Sequence, residues 1–174
     1  MRVVAGTARG RRLVAPAGVS VRPTSDRVRE ATFNALHSLG TVEGATVLDL
    51  FAGSGAMGIE ALSRGAVAAT FVDHDGRALA AVRANLEATG LAGAAVAVRS
   101  DAWAYLASHP APVDLALVDP PYGTDDAGWS ALLAALPADV AVLESDRRCD
   151  PGPGWRVVRA KRYSGTVVTI VQRR

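Results

Sequence analysis

The tetrapeptide Asp119-Pro120-Pro121-Tyr122 has the clearest chemical potential in this sequence. It follows the apolar residues 113–118, which predict a buried parallel strand, and open α/β sheets bind ligands at the carboxyl ends of such strands. The Asp119 carboxylate and a prolyl carbonyl can accept hydrogen bonds from an amino group, while the prolines hold the chain in one extended path. Tyr122 offers a planar face for stacking. The tetrapeptide predicts a clamp for the exocyclic amine of a nucleobase; the alternative is an ordinary strand end followed by a turn.

A glycine-rich loop follows an earlier apolar strand, residues 46–51. Gly53, Gly55 and Gly58 have the Gly-x-Gly-x-x-Gly spacing and lead into a predicted helix over residues 57–64. Glycine at these positions permits a tight turn, close approach of a ligand to the backbone, and close packing of helix on strand. The spacing indicates a nucleotide cofactor and leaves its kind open.

Asp49 discriminates between two such cofactors. Its carboxylate comes four residues before Gly53, where it would repel the pyrophosphate of a nicotinamide dinucleotide and attract an ammonium group. S-adenosylmethionine carries an ammonium group beside a carboxylate, which the N-terminus of a helix can bind. Asp73, at the end of the next predicted strand, suits the ribose hydroxyls of either cofactor. Asp49 together with the amine clamp favours S-adenosylmethionine.

The first thirty residues are strongly basic. They hold seven arginines and two acidic residues, a net charge of +5, whereas the whole chain has a formal net charge of +2. A basic surface on a near-neutral body is typical of proteins that bind a phosphate backbone. The alternative is a solvated arginine-rich face. We expect this arm to lie outside the core and to bind RNA through Arg9, Arg11, Arg12, Arg22, Arg27 and Arg29.

Helix and strand periodicities alternate after residue 45, and they must position these groups. The predicted strands are 46–51, 68–73, 94–99, 113–118, 139–144, 155–162 and 166–172. The predicted helices are 57–64, 76–89 and 128–136, with a helical turn near Trp103. Apolar strands separated by helices predict a doubly wound α/β sheet. A hairpin at Ser164-Gly165 would make one of the seven strands antiparallel in a mostly parallel sheet.

Residues 1–40 are predicted to form an extension to a sheet domain at 41–174. Short apolar pieces at residues 3–5 and 12–15, around Gly6 and Gly10, predict a small β-hairpin. Ser25 or Thr24 can cap a following helix whose apolar residues share one face.

Composition excludes several other classes of protein. The chain has 174 residues, 49% hydrophobic and 21% charged, which is enough for one globular core. Its one cysteine, Cys149, excludes an internal disulfide and suits a reducing compartment. The sequence contains no long apolar run or leader, and its three histidines have no metal-ligand spacing. We expect a cytoplasmic protein with no membrane span and no metal.

Together these motifs resemble those of the RsmD family. The sequence Asp49-Leu50-Phe51-Ala52-Gly53-Ser54-Gly55 with a later Asp-Pro-Pro-Tyr looks like a class I S-adenosylmethionine-dependent methyltransferase that acts on an exocyclic amine. Residues 2–6, Arg9-Gly10-Arg11, and residues 22–30 with Phe33-Asn34 are similar to the N-terminal part of RsmD enzymes, which methylate the N2 amine of a guanine in bacterial 16S rRNA. The resemblance runs from Arg2 to about Gln172 and implies a Rossmann-like methyltransferase sheet.

The resemblance also implies roles for individual residues. Asp49 and the glycine loop would hold the methionine part of the cofactor, and Asp73 the ribose. Asp101 would accept a hydrogen bond from the adenine amino group beside the backbone of Ala102, although it can equally cap the next helix. The expected cofactor residues are Asp49, Phe51, Ala52, Gly53, Ser54, Gly55, Gly58, Asp73, Asp101 and Ala102, and the expected catalytic residues are Asp119, Pro120, Pro121 and Tyr122.

The predicted reaction is methylation of a guanine N2 amine in 16S rRNA, within a small-subunit particle and without an obligate protein partner. Because the clamp recognises an amine rather than one base, an adenine-N6 or cytosine-N4 nucleic-acid methyltransferase is an alternative. A non-catalytic RNA-binding or assembly protein on the same fold is another. A nicotinamide oxidoreductase is disfavoured by Asp49.

Overall fold

The computed structural model describes residues 1–18, 25–108 and 111–174. Within them the helices are α1 (Asp26–Ser38), α2 (Ala56–Ser63), α3 (Gly76–Thr89), α4 (Ala102–Ser108) and α5 (Asp126–Ala135). The strands are β1 (Thr46–Leu50), β2 (Ala68–Asp73), β3 (Ala95–Arg99), β4 (Val113–Val118), β5 (Ala138–Ser145), β6 (Trp155–Tyr163) and β7 (Thr166–Arg173). A 3₁₀ turn, Ala92–Ala94, precedes β3.

The strands form one sheet in the order β3-β2-β1-β4-β5-β7-β6. β1 pairs in parallel with β2 and β4, β2 with β3, and β4 with β5. β7 runs antiparallel to both of its neighbours, β5 and β6, and the β6–β7 turn contains Ser164 with a φ of 53°. The prediction of a mostly parallel seven-stranded sheet with one antiparallel strand is therefore confirmed.

Both faces of the sheet are covered by helices, because alternate strand residues point to opposite faces. Val47, Leu117 and Val142 pack on one face in a core cluster with residues of α1, α2 and α3. Leu48 and Leu143 pack on the other face with residues of α4 and α5. This arrangement confirms the predicted doubly wound architecture.

Side-chain caps fix where several helices begin. Ser25 accepts a hydrogen bond from the N–H of Val28 and starts α1, whereas Thr24 lies outside the described residues. Asp75 caps α3 and Asp125 caps α5 in the same way. The cap at Asp125 explains why α5 begins two residues before the predicted helix, and the predicted turn near Trp103 is the full helix α4. No helix in the described part of the chain is long and apolar enough to cross a membrane.

The N-terminal extension packs into the main core, so the expectation that it lies outside the core is wrong. Val3, Ala8 and Leu13 are buried in the same cluster as the apolar residues of α1 and α2. The predicted hairpin is reduced to one isolated bridge between Arg2 and Arg12. The physical reason is competition for donors, because the N–H groups of residues 4 and 5 donate to a side chain of α2 rather than to a partner strand. The division at residue 40 remains a prediction.

Candidate active site

The carboxyl ends of β1 and β4 lie side by side at the centre of the sheet. Leu50 pairs with Val118, so the glycine loop and the Asp119-Pro120-Pro121-Tyr122 tetrapeptide leave the sheet next to each other. From here β1 continues to β2 on one side, whereas β4 continues to β5 on the other. Open α/β sheets form their ligand crevice at such a switch point. The fold therefore brings the two predicted motifs to one edge.

Asp49 is a buried carboxyl group at this edge. It is 4% exposed, and its Oδ2 accepts a 2.9 Å hydrogen bond from the N–H of Gly58. Burial raises the pKa of Asp49 from 3.8 to about 8; the Gly58 hydrogen bond opposes this increase, and the nearby charge of Asp73 adds to it. Burial dominates because removal from water disfavours the ionised form. A cationic ligand group next to Asp49 would favour that form again.

The three glycines of the loop are needed for different reasons. Gly53 and Gly55 have φ angles of +55° and +75°, in the left-handed region that other residues rarely adopt. A Cβ on Gly58 would lie 2.4 Å from Cε1 of Phe71, so glycine here lets α2 pack against β2. A Cβ on Gly53 would have the carbonyl oxygen of Phe51 as its nearest neighbour, at 3.9 Å. The backbone at Gly53 is therefore open to a ligand.

Hydrogen bonds from neighbouring elements hold the loop in place. The N–H of Gly53 donates to Asp73 Oδ2 at 2.9 Å, and Asp73 Oδ1 accepts from the N–H of Asp75 at 2.9 Å. The carbonyl of Ser54 accepts a 2.8 Å hydrogen bond from Nδ2 of Asn85, a buried residue of α3. These hydrogen bonds tie the loop to β2 and α3.

The start of α4 closes the other side of this edge. Phe51 packs edge-to-face on Trp103, with ring centroids 5.4 Å apart. Asp101 Oδ1 accepts a 3.0 Å hydrogen bond from the N–H of Ala104, which makes it a helix cap, and Ala102 is buried. The residues expected to bind a cofactor all end or follow β1, β2 or β3 at this edge: Asp49, Phe51, Ala52, Gly53, Ser54, Gly55, Gly58, Asp73, Asp101 and Ala102.

The tetrapeptide after β4 presents its aromatic ring to solvent. Tyr122 is 52% exposed, and its hydroxyl lies 3.2 Å from Oγ1 of Thr166, in β7. Pro120 is buried, whereas the carbonyl of Pro121 accepts a 2.8 Å hydrogen bond from the hydroxyl of Thr124. Tyr122 therefore combines an anchored hydroxyl with an exposed ring, and an exposed ring can stack on a planar base.

Three carboxyl groups converge beside the tetrapeptide. Because Val118 pairs with Leu143, the next residues, Asp119 and Glu144, are neighbours, and side-chain alternation puts both on the same face as Asp49. Asp119 is exposed to solvent, although neighbouring protein atoms crowd its carboxyl group. Its pKa is raised well above 3.8, first by lost hydration and then by the charges of Glu144 and Asp49. Among residues 1–18, 25–108 and 111–174, no cluster of His, Cys, Asp or Glu side chains could hold a metal ion.

Most arginines expected to bind RNA lie at the surface. Arg9, Arg11 and Arg12 are exposed in the N-terminal extension, and Arg27 is exposed in the first turn of α1. Arg22 lies outside the described residues. The exposed groups remain candidates for phosphate contact.

Arg29 is an exception, and its predicted role in RNA binding is corrected. Its side chain is 0% exposed, with Nε 3.3 Å from Oε2 of Glu60 and Nη2 3.0 Å from Oδ1 of Asp26. It also donates to the carbonyl of Arg2. A buried guanidinium held by two carboxylates cannot reach a phosphate, so Arg29 joins α1 to α2 and to the N-terminal segment.

Three buried polar residues near the site were not predicted from the sequence. Glu60 and Asn85 hold the N-terminal segment and the glycine loop, and Glu144 lies beside Asp119. A weak signal existed for Glu60, because it follows Ile59 within an otherwise apolar helix. Glu144 could not be placed without the register of β5 on β4.

The sheet order and its helical layers place this protein in the class of Rossmann-like methyltransferase folds. A solved structure from Escherichia coli, described as a candidate methyltransferase, is similar to this protein with 36% identity and a TM-score of 0.85. The match covers 99% of this chain and 97% of the Escherichia coli chain. The chain belongs to the RsmD family. The family model, described as conserved hypothetical protein 95, matches residues 1–172.

Curated relatives carry ribosomal RNA methyltransferase names. Ribosomal RNA small subunit methyltransferase D of Escherichia coli is 41% identical over 141 residues, 75% of this chain and 70% of that protein. A candidate rRNA methyltransferase of Bacillus subtilis is 48% identical over 102 residues, 59% of this chain. That match spans 54% of the Bacillus protein, about half of its length.

Proposed function

We propose that this protein methylates the exocyclic N2 amine of a guanine in 16S rRNA, with S-adenosylmethionine as methyl donor. The observation that carries the proposal is the shared edge of the sheet, where the Asp49 loop and the Asp119 tetrapeptide lie on adjacent strands. The names of the Escherichia coli and Bacillus subtilis relatives support a ribosomal RNA substrate.

The residues at the crevice fit S-adenosylmethionine. The buried carboxyl of Asp49 has a raised pKa, so a ligand ammonium group would stabilise its ionised form. The N-terminus of α2 and the open backbone at Gly53 can receive a carboxylate. Asp73 and Asp101 supply acceptors for the ribose and adenine. When bound, the cofactor supplies an electrophilic methyl group.

The tetrapeptide orients the base that receives the methyl group. The Asp119 carboxylate and the Pro120 carbonyl accept hydrogen bonds from the two amine hydrogens, which directs the nitrogen, and the exposed face of Tyr122 stacks on the ring. A guanine amine is a weak nucleophile because its lone pair is delocalised into the ring. Orientation matters for such a group, and holding two reactants in geometry can lower a barrier by roughly 7–11 kcal/mol.

Asp119 also has the properties of a proton acceptor. Lost hydration and two neighbouring carboxylates raise its pKa, so its ionised form is more basic than an ordinary aspartate. The carboxylate that orients the amine can therefore take the proton that leaves the methylated nitrogen. The target guanine must leave its stack to reach this edge, so the substrate must present an accessible or extruded nucleotide.

The test is a transfer assay with the purified protein, S-adenosylmethionine with a radiolabelled methyl group, and 16S rRNA or small ribosomal subunits from a strain that lacks the gene. Nucleoside digestion and mass spectrometry should show N2-methylguanosine. N6-methyladenosine or N4-methylcytidine as the product would replace the guanine assignment with one of the alternatives. If neither the 16S rRNA nor the small subunits received a methyl group, the proposed activity would be overturned.

A further inference from the structure

A long groove separates α1 from the edge of the sheet at β6 and β7. It has a volume of about 680 Å³ and is lined by Asn34 and Ser38 of α1 and by Val158, Arg159 and Ile170 of the hairpin. A small pocket of about 10 Å³ adjoins it at Lys161 and Tyr163 of β6, and both are lined by Ala31, Ala35, Arg159 and Ile170. We call the two together the α1–β6 groove.

The sheet side of the groove is lined by two cations, Arg159 and Lys161. β6 contains Arg156, Arg159, Lys161 and Arg162, and no acidic residue. Arg159 pairs with Ile170 and Lys161 with Val168, and since both partners belong to the core cluster under α1, both cations point to the α1 face. On the opposite wall, exposed Arg27 lies one helical turn before Ala31, which lines the groove.

The adjacent cation Arg162 points to the other face of the sheet. It pairs with Val167, which alternates with Val168 along β7, and its Nη1 lies 3.4 Å from the carbonyl of Asp146. Lys161 and Arg162 are therefore neighbours in sequence, both exposed, with opposite directions. This pair provides a charge-matched comparison for any ligand of the groove.

The groove ends at the candidate active site. Tyr163 pairs with Thr166 at the top of the β6–β7 hairpin, and the Thr166 hydroxyl contacts the hydroxyl of Tyr122. A ligand that lies along Arg159 and Lys161 thus reaches the exposed face of the clamp. The cations, the polar α1 side chains and the continuity with the clamp suit a polyanionic chain that carries the target base.

We propose that the α1–β6 groove binds the sugar–phosphate backbone of the RNA strand next to the methylated nucleotide. This inference rests on the proposed function, because it assigns that substrate a path on the surface. A basic edge strand can also serve only to prevent pairing with another sheet edge. That role would make Lys161 and Arg162 equivalent, whereas phosphate binding would make them unequal.

The experiment compares Lys161→Glu with Arg162→Glu, each of which changes the charge by the same amount. Filter binding of radiolabelled, unmodified 16S rRNA transcript and of small ribosomal subunits measures affinity over a range of salt concentrations. We expect Lys161→Glu to weaken binding to both probes and Arg162→Glu to leave it close to wild type. Arg159→Ala/Lys161→Ala should reduce the slope of log affinity against log salt by about 2, since each phosphate contact contributes about 1.

Binding of S-adenosylhomocysteine and thermal unfolding serve as controls for the fold of each variant. Equal effects of the two glutamate variants, or no effect of either, would overturn the groove assignment. If the wild-type protein still bound RNA, the proposed function would remain intact. If Lys161→Glu lost binding to small subunits but kept binding to the transcript, the groove would contact a ribosomal protein rather than RNA. That result would also overturn the groove assignment. Failure of the wild type to bind either probe would remove the proposed function itself.

Discussion

Two carboxyl groups with raised pKa values meet at the carboxyl edge of the sheet, and each has a different task in the proposed reaction. Asp49 lies beneath the glycine loop, where burial keeps it protonated near neutral pH until a cation arrives. Asp119 lies at the mouth of the crevice beside Glu144, where it can contact a base. In the proposed function, these different surroundings assign cofactor binding to Asp49 and base orientation to Asp119.

Replacement of Asp119 by alanine should abolish methyl transfer and leave binding of S-adenosylhomocysteine close to wild type. In the proposed function Asp119 orients the amine, whereas Asp49 and the glycine loop bind the cofactor. Single-turnover kinetics and calorimetry measure the two effects. Asp139→Ala, an exposed change at the opposite end of β5, is the matched control. Substantial turnover by Asp119→Ala would contradict the clamp mechanism.

Binding of S-adenosylhomocysteine should release a proton near neutral pH. Asp49 has a pKa of about 8 in the folded protein, so it is mostly protonated below that pH, and pairing with the ligand ammonium requires it to ionise. Affinity should therefore rise with pH, by about tenfold per unit between roughly pH 6 and 8, and level off above the pKa. Calorimetry in buffers of different ionisation enthalpy measures the proton. Asp49→Asn should abolish the release, and an unchanged release would rule out Asp49 as its source.

At the scale of elements, a buried ionic network joins α1, α2 and the N-terminal segment. The carboxylate of Glu60 accepts hydrogen bonds from the N–H groups of Val4 and Ala5, and ion pairs link it to Arg29 and Arg64. The network places the extension against the helix that follows the glycine loop. It explains why a strongly basic segment belongs to the core.

Arg29→Ala should destabilise the protein by about 3–5 kcal/mol, because it removes one partner of a buried pair and leaves the Glu60 carboxylate undercompensated. Urea unfolding followed by circular dichroism measures the change. Arg27→Ala, an exposed substitution two residues before Arg29, should change stability by less than about 0.5 kcal/mol. Equal losses for the two variants would show that the network does not stabilise the fold.

At the scale of the whole molecule, positive charge is concentrated on the N-terminal extension and on β6. Arg9, Arg11 and Arg12 are exposed on a segment that Glu60 and Asn85 tie to the sheet domain. β6 adds a second group of cations that leads to the clamp. Because the extension and the sheet share one core, the two surfaces keep a fixed relative position, and one large RNA can contact both.

Replacement of Arg9, Arg11 and Arg12 together by alanine should weaken RNA binding and reduce its salt slope by about 2–3, since each phosphate contact contributes roughly 0.7–0.9. Cofactor binding should stay the same, because none of the three side chains lies at the glycine loop. Paired titrations with 16S rRNA and S-adenosylhomocysteine measure both. An unchanged RNA affinity and salt slope would mean that these arginines form only a solvated face.

The sequence by itself determined the features that are encoded locally. Strand, loop and helix order follow from the period of apolar residues, and Gly53, Gly55 and Gly58 mark a loop that needs their backbone freedom or small size. The position of Asp119 directly after β4 placed the clamp at the ligand-binding edge of an α/β sheet. Such signals lie within a few residues of one another, so neighbouring residues suffice to identify them.

Only the tertiary structure decided which side chains from distant elements meet. In the sequence, Arg29 resembles an exposed helical arginine. In the structure it is buried against Glu60 of α2, 31 residues away along the chain. Glu144 gains its place from the register of β5 on β4, and the directions of Lys161 and Arg162 depend on a bulge in β6. A one-residue change of register reverses the direction of every following side chain. Burial and charge pairing at these positions are therefore properties of the assembled sheet and helices, not of the local sequence.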